Sequence, residues 1–187
     1  MLRRIVCLWM LVACAGIVCA DEIGTDRAHD FDFSTVQTFA VRVGSSWGNS
    51  GSESAAKDAI TKRLTQKGWK EGDESSSDVV VVLHGATQEK GTFPSFYNEL
   101  PNYKWQDIGA PALADSDHYE YKPGTLLVDI FETKSRKAVF RGVIVGGLSG
   151  SPEQQAKRID KDAGKLFKDL PSSKGSAGKP KESGSKS

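Results

Sequence analysis

The sequence predicts an α+β fold: a two-layer sandwich in which a mainly antiparallel sheet of about four strands carries two helices on one face, in the order β-α-β-β-β-α. Three observations carry this expectation. Residues Gly124 to Gly142, "GTLLVDIFETKSRKAVFRG", read as a strand, a polar turn and a returning strand. Residues Ser151 to Pro171 show helix start, apolar stripe and stop signals in the right order. "DVVVVLHG", Asp78 to Gly85, is a run too short and too β-branched to prefer a helix.

Taken along the chain, a polar entry leads to "VQTFAVRV" (Val36 to Val43), which is rich in β-branched and aromatic residues and predicts the first strand. A Gly/Ser-rich loop follows, then a helix over about Glu53 to Lys67, with Ser50 and Glu53 at capping-box spacing and Ala56, Ile60 and Leu64 on one face. Gly68 can take the left-handed conformation that ends a helix and bring Trp69 back onto Leu64, the hydrophobic pairing of a Schellman motif. "DVVVVLHG" is then a central strand. Residues 91–118 lack periodicity and hold Pro94, Pro101 and Pro111, which predicts a long excursion. In the hairpin, Leu126, Val128 and Ile130 line one face of the first arm, while Leu127, Asp129 and Phe131 line the other. Asp129 and Arg141 are polar residues among apolar ones, placed to form an ion pair across the hairpin if the register brings them opposite. In the last helix Ser151 caps, Pro152 takes N1, Gln154 completes a capping box, and Ala156, Ile159, Ala163, Leu166 and Leu170 form the apolar stripe up to Pro171.

The first twenty residues predict a signal peptide: Arg3 and Arg4 form a basic head, Ile5 to Val18 is apolar or small, and Val18-Cys19-Ala20 offers a cleavage site. A competing reading takes Leu11-Val12-Ala13-Cys14 as a lipobox, with Cys14 acylated and the protein held at a membrane by lipid. All three cysteines lie in this segment, so a chain beginning at Asp21 has no disulfide and no cysteine ligand or nucleophile. One folded domain then spans 21–170, and the Ser/Gly/Lys tail 171–187 is too polar to fold by itself. The whole chain has 25 Lys and Arg against 24 Asp and Glu, with no clustered basic face of the kind nucleic-acid binders carry.

The chemistry-bearing residues are few. The histidines are His29, His84 and His118; His84 closes an apolar strand and would hold a metal with His118 and a nearby acid only if strand register brought them together. Ser45 and Ser46 do not sit in a nucleophile elbow, and the Gly-rich "GNSGSES" lacks the lysine of a phosphate-binding loop. No cofactor is implied. Phe93, Phe96, Tyr97, Tyr103 and Trp105, with Tyr119 and Tyr121 just beyond, gather rings beside polar groups, which suits contacts with a glycan or protein or, alternatively, covers the sheet face opposite the helices.

The segments "DFDFSTVQTFAV", "AITKRLTQKGW", "DVVVVLHG", "GTLLVDIFETKSRKAVFRG" and "SPEQQAKRIDKDAGKLFKDLP", in that order and spacing from about Asp26 to Pro171, resemble the bacterial envelope family known as domain of unknown function 4136. The resemblance implies an exported protein, often a lipoprotein, with no established activity and no catalytic residue to carry over. Many relatives have a loop rich in Gly, Tyr and Trp where this chain has more proline and acid. The expectation is therefore an exported, non-catalytic envelope domain, periplasmic or secreted, that binds an envelope protein or glycan through its aromatic loop and sheet face. The alternatives are an outer-membrane lipoprotein anchored at Cys14 and a metal-dependent or hydrolytic enzyme using His84 and His118.

Overall fold

The computed structural model describes residues 23–86 and 122–174. Its six strands are β1 (Ile23–Arg27), β2 (Thr38–Ser45), β3 (Lys70–Glu71), β4 (Val79–Ala86), β5 (Thr125–Glu132) and β6 (Ala138–Ile144). Among the described residues the α-helices are α1 (Ser50–Gln66) and α2 (Pro152–Leu166), with a short 3-10 turn at Phe33–Thr35. The strands form one mixed sheet in the order β1-β6-β5-β4-β2-β3. The α+β class therefore holds, whereas the four-stranded, mainly antiparallel sheet does not. β1 pairs antiparallel with β6, β6 with β5 and β5 with β4, but β2 runs parallel to both β4 and β3. The parallel pairing follows from α1: a strand, a helix and a second strand in one sheet make a crossover rather than a hairpin.

α1 begins earlier than the expected cap. The Asn49 side chain accepts from the Ser52 amide, while Glu53 instead accepts from the Ser46 hydroxyl and the Trp47 amide at 2.6 and 2.9 Å. The end of α1 is as the sequence predicts. Gly68 has φ of 88°, its amide donates to the Thr65 carbonyl, and the Trp69 amide donates to the Leu64 carbonyl. Those two bonds define a Schellman motif and fold Trp69 into the core beside Leu64. α2 has its Ser151–Gln154 capping box with Pro152 in the first turn. Of its expected apolar stripe Ile159, Ala163, Leu166 and Leu170 are buried, whereas Ala156 is half-buried and the polar Gln155 and Asp162 join the buried face.

Both helices pack on one sheet face. Ile60, Leu64, Ile159 and Leu166 meet Phe39, Val81, Leu83, Val128, Ile130 and Ile144 in a single core. Gly142 lets α2 approach, because a Cβ there would stand 2.6 Å from a Leu166 methyl. The helices are also joined by a buried polar network. The Trp47 indole donates to the Ser52 hydroxyl at 3.1 Å, that hydroxyl donates to Gln155 Oε1, and Gln155 Nε2 donates to the carbonyls of Leu148 and Gly150 at 2.8 and 2.9 Å. With every member bonded, such a network fixes how two helices register instead of leaving enclosed polar groups unmatched. At the far end of the sheet, burial pushes the Asp78 carboxyl up, but the amides of Gln37 and Thr38 and the Thr38 hydroxyl outweigh this and leave it lowered.

Candidate functional site

The second face of the sheet, away from the helices, carries the unusual chemistry. Alternation along each strand places Ala40 and Arg42 of β2, Val80, Val82 and His84 of β4, Leu127, Asp129 and Phe131 of β5, and Arg141 and Val143 of β6 on it. Neither described helix lies there, yet Val80, Val82, His84, Leu127, Asp129 and Phe131 are fully buried. The sheet face expected to be open for binding is closed to solvent.

A row of charge crosses this face. Asp26, Arg141, Asp129, Val82 and Arg42 stand side by side on five strands through the β1–β6, β6–β5, β5–β4 and β4–β2 registers. Arg141 Nε donates to Asp129 Oδ1 at 2.9 Å, with the two side chains 3% and 0% exposed. This is the ion pair that the hairpin sequence allowed, and its burial makes it far more consequential than a surface pair. Asp129 Oδ2 is enclosed without a hydrogen-bond partner. Burial accordingly pushes the Asp129 carboxyl up, with Arg141 opposing it. At the other end of the row Arg42 meets Glu74 at 3.0 Å, and that pair is partly exposed.

His84 lies one pleat beyond this row, in register with Leu127. Its ring fills the space above Gly44, where a Cβ would collide with the imidazole. Burial, then the nearby guanidinium groups of Arg141 and Arg42, push the imidazole down to about 3, so it is neutral at ordinary pH. Two fixed cations beside it also oppose a metal ion at the imidazole. The described charges that act on it are arginines from β2 and β6. His118 lies outside the described residues, as do Cys14 and the aromatic candidates Phe93, Phe96, Tyr97, Tyr103 and Trp105. Among the described residues no three His, Cys, Asp or Glu side chains gather to hold a metal, and no helix is long and apolar enough to cross a membrane.

A second feature lies at the opposite edge, where β1 meets the end of α2. A hollow of about 250 Å³ there is lined by Thr25, Asp26 and Arg27 of β1, by Phe140, Leu166 and Leu170, and by the polar His29 and Asp169. Arg27 Nη1 donates to the Asp169 carbonyl at 3.1 Å across its end.

Comparison with solved structures places this fold beside a DUF4136 family protein from Bacteroides thetaiotaomicron, with a TM-score of 0.53, 16% identity, and coverage of 79% of this chain and 94% of that one. Looser likenesses are a PelC dodecamer from Paraburkholderia phytofirmans (TM-score 0.44, 8% identity, 83% of this chain and 99% of that chain) and a PDZ domain protein from Parabacteroides distasonis (TM-score 0.46, 16% identity, 79% of this chain and 36% of that chain). No curated protein matches the chain. The model of the domain of unknown function DUF4136 matches residues 23–172, from the first residue of β1 to just past α2, and the chain belongs to that family.

Proposed function

We propose that this is an exported, non-catalytic domain of the cell envelope that binds or scaffolds through the aromatic-rich segment 91–118. The supporting observation is the state of the buried ionisable groups. Asp129 is engaged by Arg141, and His84 is shut from solvent and neutral beside two guanidinium groups. A general base must reach the proton it removes and titrate near the working pH, and His84 does neither. This counts against the hydrolytic or metal-dependent reading built on His84 and His118. The connection containing the rings has both ends fixed at the same end of the central strands, since the Gly124 amide donates to the Ala86 carbonyl at 2.7 Å. A rigid sheet carrying a variable connection is a common way to present a binding segment.

Replacing Phe96, Tyr97 and Trp105 together by alanine is expected to abolish binding to isolated cell-wall glycan and cross-linking to envelope proteins, with Tm shifted by no more than about 2 °C. A wild-type protein that makes neither contact overturns the proposal, and a large drop in Tm reassigns the rings to the core.

The lipoprotein alternative rests on Leu11-Val12-Ala13-Cys14. Acylation at Cys14 would leave residues 14–22 as a tether before β1, at most about 30 Å long when extended. Cleavage after Ala20 would leave only Asp21 and Glu22. Intact mass of the native protein separates the two, and the expected result is a chain starting at Asp21 without acyl mass.

A further inference from the structure

The outer edge of β1 and the hollow behind it have the two parts of a strand-docking groove. β1 ends the sheet, and no described strand pairs with its outer side. The Ala28 amide donates inward to the Val139 carbonyl at 2.8 Å. Antiparallel alternation then points Gly24 and Asp26 inward as well, and turns the N–H and C=O groups of Thr25 and Arg27 outward. The strand "IGTDR" carries no proline; of its two charged residues Asp26 is half-buried and Arg27 turns its guanidinium to the Asp169 carbonyl. The hollow lies on the helix side of this edge. At about 250 Å³ it is smaller than a typical small-molecule pocket of roughly 300–1,000 Å³, and its apolar floor of Phe140, Leu166 and Leu170 suits one bulky side chain.

Charge fixes the remaining chemistry. Asp26 lies in the same row as Arg141, on the second face, and its Oδ2 is enclosed without a hydrogen-bond partner. A residue added directly opposite Asp26 would present its side chain on that same face, while the residues before and after it would point to the helix side. We propose that β1 accepts an extended segment of a partner protein as a seventh strand, in which a large apolar residue enters the hollow and an adjacent Lys or Arg pairs with Asp26. Main-chain bonds supply the docking and the hollow supplies selectivity. The proposal uses no residue of segment 91–118, so it goes beyond the function proposed above and does not depend on it.

The probe is the peptide acetyl-Ser-Thr-Phe-Lys-Val-Thr-Ser-amide, titrated into the mature protein by isothermal calorimetry, with amide exchange read by NMR. Expected are saturable binding and slowed exchange at the Thr25 and Arg27 amides. Peptide Phe→Ala should weaken binding about tenfold or more, peptide Lys→Glu about fivefold or more, and N-methylation of alternate amides should abolish it. Thr25→Pro removes an outward donor without touching the β6 ladder, and should lose binding with Tm nearly unchanged. Asp26→Lys should reverse the preference toward the Glu peptide, which keeps the proposal testable if the proline variant fails to fold. Absence of binding at millimolar peptide overturns it, as does equal binding of the N-methylated peptide. It is equally overturned if the Thr25 and Arg27 amides are already protected in the free protein, because the edge is then taken by this chain or by a second copy.

Discussion

Arg141→Ala is expected to destabilise the protein by about 3–5 kcal/mol, a large share of the roughly 5–15 kcal/mol that holds a typical domain folded. Asp129 has no solvent to fall back on: its side chain is fully buried, and Oδ2 already lacks a hydrogen-bond partner. Removing the guanidinium leaves Asp129 either charged in an apolar layer or protonated against its preference at neutral pH. The double replacement Asp129→Leu with Arg141→Met should instead recover to within about 1–2 kcal/mol of the natural protein, because a well-packed apolar pair needs no desolvation to be repaid. Urea unfolding of the natural protein, the single variant and the double variant measures both losses. A loss below about 1 kcal/mol for Arg141→Ala is the surface-pair range, and would mean that water reaches the second face.

That pair also marks how much of the molecule was legible in its sequence. Asp129 and Arg141 stood out as polar breaks in apolar arms, and the hairpin register sets them directly opposite. The Gly68–Trp69 helix end and the Ser151–Gln154 box were readable because capping is local chemistry, decided within four residues. What escaped was decided by distant partners. "IGTDR" has no strand pattern, since Gly and Asp disfavour strands; β6 makes it one by offering a ladder. β3 is only two residues long and exists by pairing with Thr38 and Phe39. On α2 the burial of Gln155 in place of Ala156 is met by Ser52, far away in sequence, which bonds to it. The candidate site divides in the same way. The aromatic residues lie outside the described structure, whereas the charged row joins five strands whose order no single-sequence pattern encodes.

His84 gives the second large effect, and its sign is fixed by the direction of its shift. Its folded value of about 3 lies below the unfolded value of 6.5, so the unfolded chain takes up a proton at a pH where the folded one does not. Above about pH 6.5 this has no consequence. Below it, stability should fall by up to about 1.4 kcal/mol per pH unit until the folded imidazole itself titrates, a total on the order of 5 kcal/mol. The upper part of that window excludes the lowered carboxyls, and comparison with a variant lacking the imidazole separates His84 from Asp129. The lowered carboxyls of Asp78 and Asp160 lose their contribution only as pH falls through and below the usual carboxylate range. Asp129 acts in the opposite sense, because its raised folded value lets the folded state take up a proton first. Unfolding free energies between about pH 6.5 and 5 should therefore slope steeply for the natural protein and flatten in His84→Gln, which cannot be protonated. If that variant does not fold, the imidazole carbon shifts of the natural protein carry the same information and should show no titration above about pH 4. A flat stability profile, or a midpoint near 6.5, would mean that the ring meets water, and with it the argument against acid–base or metal chemistry at His84 would fail.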